Sequence, residues 1–146
     1  AYRWNREHES AIGVHEQIVK EIPAARPVSR VRALLELAWS RIAKVEWSRR
    51  IEDPGIQAAY REAQEALTLA DRPLDKFTAA YTMAYSLAFA PDRDNKKMLE
   101  VLTEALRWYQ QTPGSSPESW RYLLMNDTLK AIVEADPAFK PLLTAS

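Results

Sequence analysis

Two short motifs each occur twice in this chain, and their repetition decides the expected fold. Leu37-Ala38-Trp39-Ser40 recurs as Met83-Ala84-Tyr85-Ser86, and Glu65-Ala66-Leu67 recurs as Glu104-Ala105-Leu106. In both copies the first motif sets an alanine beside an aromatic residue, and the second motif follows further along the chain. A pair of helices that is written twice predicts helical hairpins that stack, so that each hairpin covers the apolar face of the next.

The composition agrees with an all-α protein. Ala, Leu, Glu, Arg and Lys dominate, only three glycines occur, and strand-forming residues never alternate for long. With 146 residues, of which 47% are hydrophobic and 27% charged, we expect a single globular domain over 1–146. Twenty basic residues balance twenty acidic residues, and this neutrality argues against nucleic-acid binding by the protein as a whole.

The residue types that are absent limit the chemistry. The chain has no cysteine, which excludes disulfides, thiol catalysis and thiolate metal sites. No apolar run approaches about 20 residues and no signal peptide is visible, so we expect a cytoplasmic protein without membrane contact. The sequence starts at Ala1 rather than Met, which leaves open a processed product or a piece of a longer protein.

Nine prolines punctuate the helical patterns, and six or seven helices are expected between them. The long helices are predicted at about 3–22, 30–51, 54–70, 74–90 and 94–111. Ser29 and Asp53 are the expected N-caps of the second and third helices, and Ile18 and Ile22 belong to the apolar stripe of the first. The remaining elements are a helix capped by Ser115 or Ser116, a short helix from Asp127 or Thr128 to near Asp136, and a last turn over 137–143.

The two helix pairs, 30–70 and 74–111, resemble tetratricopeptide repeats, in which a small residue on helix A sits against an alanine on helix B. The matching positions are Ala38 and Ala84 on the A helices, with Ala59, Ala66, Met98 and Ala105 on the B helices. The first pair departs from the family pattern by a long connection, and the usual aromatic late in helix A is Arg41 or Leu87 here. The resemblance implies a right-handed solenoid whose A helices line a concave groove.

The tail is similar to the cap that closes many bacterial tetratricopeptide arrays. It carries Asn126-Asp-Thr-Leu129, Ile132, Asp136-Pro137-Ala-Phe139 and Leu142-Leu143. The arginine that commonly precedes Asp-Pro-x-Phe is missing, and Glu134 stands nearby. The resemblance implies that 118–143 folds back as a C-terminal cap over the apolar end of helix 94–111, because an uncapped array exposes its core.

The same resemblance implies a partner-binding face on the two A helices. It places Arg32, Leu35, Trp39 and Ile42 in the groove from the first copy, and Thr78, Tyr81, Tyr85 and Phe89 from the second. Trp39, Tyr81 and Tyr85 are the expected anchors, because aromatic rings bury much area while they lose little side-chain freedom. Arg32 is expected to pair an acidic group of the partner. The alternative is that these rings simply fill the core between the helices.

No pattern in the sequence indicates catalysis, a cofactor or a metal ion. His8 and His15 lie about 10 Å apart along a helix axis, which is too far for one ion. The carboxylate pair Glu62 and Glu65 alternates with polar and basic residues, so we expect a solvated face rather than an acid–base site. Nucleophile elbows and phosphate-binding loops are absent from the sequence.

We therefore predict a non-enzymatic interaction module or scaffold that binds a protein or peptide, with homo-oligomerisation left open. One alternative is a regulatory subunit associated with an enzyme. The other is a weak nucleic-acid binder that works through helix 30–51, where basic and aromatic residues interleave. That stretch carries Trp39, Lys44, Trp47, Arg49 and Arg50.

Overall fold

The computed structural model describes residues 2–23, 25–48 and 54–145, with side chains from Arg6 onward. The helices are α1 Tyr2–Glu21, α2 Pro27–Ser48, α3 Gly55–Leu69, α4 Pro73–Ala88, α5 Asn95–Gln110, α6 Pro117–Leu124, α7 Asp127–Ala135, a 3₁₀ turn Pro137–Phe139 and α8 Lys140–Leu143. The described residues contain no strand. The all-α prediction is confirmed, and the seven helices up to Ala135 match the predicted number.

The long helices pack in chain order: α1 on α2, α2 on α3, α3 on α4, and α4 on α5. Neighbours run antiparallel. Glu9 near the start of α1 lies 3.6 Å from Lys44 near the end of α2, whereas Arg30 near the start of α2 reaches the last turn of α1. On α4 and α5, Phe77 and Tyr109 pair with ring centroids 4.9 Å apart. The predicted stack of antiparallel helical hairpins is confirmed.

The repeated alanines lie at these helix contacts. Ala38 of α2 and Ala66 of α3 are fully buried in one core cluster, as are Ala84 of α4 and Ala105 of α5. Alanine costs no side-chain entropy on burial and lets two helix backbones approach closely. The alanine of each repeated motif is therefore a core residue of the helix stack. The cluster continues without a break from α2 to Leu142.

Arg30 joins three helices through one guanidinium group. Its Nη1 donates to the carbonyl oxygens of Val19 at 3.0 Å and Ile22 at 2.7 Å, which lie at the C-terminal end of α1. Its Nε lies 2.6 Å from a carboxylate oxygen of Glu65 on α3. A positive charge is favourable at a helix C-terminus, where the last carbonyls have no partner within the helix. This contact fixes where α1 ends and how α2 begins.

Residues 117–143, the C-terminal segment, pack against α4 and α5. Trp120 is almost fully buried, its indole N–H donates to the Leu142 oxygen at 3.0 Å, and its ring lies beside Tyr109 and Phe77. Phe139 is fully buried in the same cluster. The segment thus closes on itself and on the last hairpin, while its role as a cap stays a prediction.

Helix boundaries differ from the sequence prediction at α2. The helix begins at Pro27, so Ser29 lies inside the first turn, and the prediction of Ser29 as N-cap is wrong. Proline suits a first turn because its fixed φ is helical and its missing N–H is not needed there. Ser116 is the N-cap of α6 as predicted, with its Oγ accepting from the Ser119 N–H at 3.1 Å. The predicted cap Asp53 lies outside the described residues.

Candidate partner-binding groove

A groove of about 1020 Å³ lies where α1, α2 and α4 meet. Residues of α2 form its floor, the last turn of α1 forms one wall, and the first turns of α4 form the other. Clefts of this size are typical of sites that bind ligands or short segments of other proteins. The floor and both walls of the groove are thus formed by helices or the residues next to their ends.

The floor residues share one face of α2. Arg32, Leu35 and Trp39 follow one another at spacings of three and four residues, which places them on one side of the helix. Leu35 is buried, Trp39 is half-buried and Arg32 is exposed. Thr78 of α4 lines the opposite wall. Four of the six residues predicted to bind a partner, Arg32, Leu35, Trp39 and Thr78, thus lie together in one groove. Ile42 is fully buried, so its predicted place in the groove is wrong.

The other two predicted residues, Tyr81 and Tyr85, lie beneath the C-terminal segment and do not line this groove. The Tyr81 hydroxyl donates to the Leu123 oxygen at 3.0 Å and accepts from the Asn126 amide at 2.8 Å. The Tyr85 hydroxyl bonds Oγ1 of Thr128 at 3.1 Å, and the residue is only 9% exposed. Both rings therefore hold the C-terminal segment on α4. Their contact with a partner stays a prediction.

An aromatic row connects the open groove to this covered region. It consists of Phe77, Tyr81, Tyr85 and Phe89, which stand four residues apart on α4 with centroids 5.7–6.0 Å from ring to ring. Trp39 of α2 joins the row at Tyr85, at 5.1 Å. Phe77 was missed as a member of this set, although its spacing from Tyr81 is the same as the spacing between the two tyrosines. Trp39 thus belongs to both the groove and the row.

Burial raises the pKa of both tyrosines in the row above the ordinary value near 10, at which a phenol is already neutral at pH 7. It raises the pKa of Tyr81 to about 12, with a further contribution from Tyr85, against the opposing effect of the Asn126 hydrogen bond. Burial also raises the pKa of Tyr85, and the Thr128 hydrogen bond opposes this. Both phenols are therefore neutral near pH 7 and keep the protons that they donate to the C-terminal segment.

Some charged side chains of the groove have partners within the chain, and Arg32 differs from them. Arg72 pairs with Asp75 at 2.9 Å, and His15 lies 3.9 Å from Glu36. Arg32 has neither an ion pair nor a hydrogen bond to another described residue. The groove therefore presents one positive group whose hydrogen-bonding capacity is available to a partner.

Exposed apolar side chains also line the groove. Ile18 of α1 is 37% exposed and Val28 of α2 is 63% exposed, and both line the groove together with Ile22. Apolar side chains that gather in one cleft, rather than singly over the surface, mark interaction sites. The sequence placed Ile18 and Ile22 in the apolar stripe of the first helix and did not assign them to the groove.

The carboxylates of Glu62 and Glu65 form ion pairs between helices, with Arg41 and Arg30 of α2. The single N–H of Arg41 Nε is shared between both carboxylate oxygens of Glu62, at 2.9 and 3.0 Å. Burial raises the pKa of Glu62, and the Arg41 contact opposes that rise. Glu62 is only 16% exposed, so the prediction of a solvated face is wrong for this residue. The ion pair of Arg41 with Glu62 joins α2 to α3. Among the described residues no group of three or more histidines and carboxylates is placed to hold a metal ion.

The comparisons with other proteins give no assignment. No family model matches the chain, and neither a curated protein nor a solved structure matches it. Over the described ranges, the helices are too short or too polar to cross a bilayer.

Proposed function

We propose that this chain is a non-enzymatic protein-interaction module that binds a segment of another protein in the groove between α1, α2 and α4. The observation that carries the proposal is the combination, in one cleft, of exposed apolar side chains with an arginine that has no ion-pair partner among the described residues. Interface centres are enriched in aromatic residues and arginine, and here Trp39 and Arg32 stand two turns apart on one helix face. Trp39 and Ile18 are the apolar anchors in this proposal.

The repeat architecture supports the same function. The alanines of the motifs that resemble tetratricopeptide repeats are buried in the core, and α2 packs on α3 as α4 packs on α5. Stacked helical hairpins offer a surface made of several helices, and such surfaces are suited to protein segments. A cytoplasmic location is part of the proposal, because a chain without cysteine does not depend on an oxidising compartment.

Nucleic-acid binding through α2 is the weaker candidate, because most of its described basic residues already have acidic partners. Arg30 pairs with Glu65, Arg41 with Glu62 and Lys44 with Glu9. Phosphate binding would have to compete with these pairs. Among the described basic residues of α2, Arg32 alone has no acidic partner, whereas a site that neutralises several phosphates needs several such cations. Arg49 and Arg50 of the predicted basic stretch lie outside the described residues.

The test is differential capture from a native extract with the whole chain as bait. Ile18→Asp places a charge in the groove, and Val14→Asp places the same charge one turn earlier on α1 at a position outside the groove. We expect at least one protein to bind the wild type and Val14→Asp equally and Ile18→Asp much more weakly. Protein capture that is indifferent to Ile18→Asp, or retained nucleic acid that moderate salt releases, would overturn the proposal.

A further inference from the structure

The backbone and hydroxyl groups that line the groove offer an extended polypeptide few hydrogen bonds. Away from the helix ends, the backbone groups of α1, α2 and α4 bond within their own helices. The Thr78 hydroxyl donates to the Leu74 oxygen at 2.8 Å. The hydroxyls of Ser29 and Ser40 also line the cleft, but they stand roughly 16 Å apart along α2. A buried extended segment would leave several of its own N–H and C=O groups without partners, at about 1–3 kcal/mol each.

A helix avoids that penalty, because it satisfies its own backbone and needs only side-chain contacts. The adjoining part of the same surface is already covered in this way. The first turn of α7 lies on the aromatic row, where Asn126 and Thr128 contact Tyr81 and Tyr85. Trp39 continues the row into the open groove. The groove is thus the uncovered continuation of a face that binds helical structure within the chain.

The residues along the floor set a spacing for the occupant. Leu35 follows Arg32 by about 4.5 Å along the axis of α2, and Trp39 follows Leu35 by about 6 Å. On the wall, Ile18 and Ile22 stand one turn apart. A helix that lies along α2 meets these groups with residues at matching positions i, i+3 or i+4, and i+7. The charge opposite Arg32 must be negative to complement it, because Arg32 has no acidic partner among the described residues.

From these observations we infer that the segment bound in the groove is an amphipathic α-helix that lies along α2. Its acidic side chain lies opposite Arg32, and two of its apolar side chains pack against Leu35, Trp39 and Ile18. The inference rests on the proposed function and names the conformation and pattern of the partner. The groove accepts the apolar face of the helix, and Arg32 fixes its register.

Two displayed peptide libraries of about 14 residues test the inference on the whole chain. One library has apolar residues at helical spacing, and the other has the same composition with apolar residues at every second position. A binder counts as groove-dependent when Ile18→Asp weakens it and Val14→Asp does not. We expect groove-dependent binders from the helical library, with Asp or Glu at one fixed position and increased helical circular dichroism on binding.

Charge reversal then tests the register. Arg32→Glu should weaken these peptides roughly tenfold, and replacement of the peptide's acidic residue by Lys should restore binding to Arg32→Glu. Groove-dependent binders from the alternating library alone would overturn the helix and leave the proposed function standing. Helical binders without a fixed acidic position, or without charge rescue, would overturn the pairing with Arg32. Failure of both libraries to yield groove-dependent binders would overturn the proposed function as well.

Discussion

The covered and open ends of one continuous surface are built differently. At the covered end, Tyr81 and Tyr85 use their hydroxyls to hold the C-terminal segment, and their rings are largely withdrawn from water. At the open end, Ile18 and Val28 remain exposed beside Arg32, which has no partner among the described residues. At the covered end, therefore, both the rings and the hydroxyls of this face have partners within the chain. At the open end, no helix of the described residues covers Ile18, Val28 and Arg32 in this way.

Truncation after Pro113 should have the largest effect on this comparison. It removes Trp120 and Phe139 from the core and exposes Phe77 and Tyr109, which Trp120 contacts. Burial of large aromatic side chains is worth about 3–5 kcal/mol each by truncation to alanine, and a small domain has only about 5–15 kcal/mol in total. We expect an aggregated product without cooperative unfolding. A soluble truncated chain that melts like the full chain would contradict the assignment of 118–143 as a cap.

Arg30→Ala should have the next largest effect, because it releases the wall of the groove. The change leaves the Val19 and Ile22 oxygens without their charged donor and Glu65 without its partner. Hydrogen bonds to charged groups contribute about 1.5–3 kcal/mol, so we expect a loss of about 2 kcal/mol in the free energy of unfolding. Amide hydrogen exchange should accelerate mainly in α1. Arg30→Lys is the control that keeps the charge but not the forked geometry, and it should restore only part of the loss.

Much of the open end could be predicted from the sequence, whereas the covered end could not. Arg32, Leu35 and Trp39 share a helical phase, and phase within one helix is a local property. Tyr81 has the correct phase on α4 too, but its partner Asn126 is 45 residues away, and no local pattern reports that contact. The proline positions and alanine motifs predicted the helices well, because both act on the backbone nearby.

The wall that α1 forms also depends on contacts that local sequence patterns do not report. Ile18 and Ile22 belong to the apolar stripe of α1, and the periodicity gives that stripe correctly. Which part of the stripe faces α2 and which part faces the groove depends on how α1 crosses α2. Arg30 contributes to that crossing by donating to carbonyls 8 and 11 residues away, as do the ion pairs of Arg41 with Glu16 and of Lys44 with Glu9. No local pattern in the sequence predicts these hydrogen bonds of Arg30.

Raising the pH should lower the free energy of unfolding by a smaller amount, and it should act on the covered end, where Tyr81 lies. The pKa of Tyr81 is raised to about 12 in the folded chain, whereas an unfolded tyrosine titrates near 10. The folded state therefore holds its proton more tightly, and this contribution to stability is present below pH 10 and is lost as the pH rises towards 12. Tyr85, whose pKa is also raised, acts in the same direction. Urea unfolding from pH 8 to pH 11 should show a falling free energy, with a shallower fall in Tyr81→Phe. An equal slope in that variant would contradict the role of its hydroxyl.

Ile18→Asp should have the smallest effect on stability, although it is expected to abolish partner binding. Ile18 is already more than one third exposed, and substitutions at such positions usually change the free energy of unfolding by less than about 0.5 kcal/mol. Val14→Asp, at a more exposed position on the same helix, provides the reference for the cost of adding the charge to α1. We expect the two variants to unfold within about 0.5 kcal/mol of each other in urea. A much larger loss for Ile18→Asp would mean that this side chain stabilises the isolated chain as Tyr85 does. The open end would then be a second covered end, and the groove would have no free apolar wall for a partner to bind.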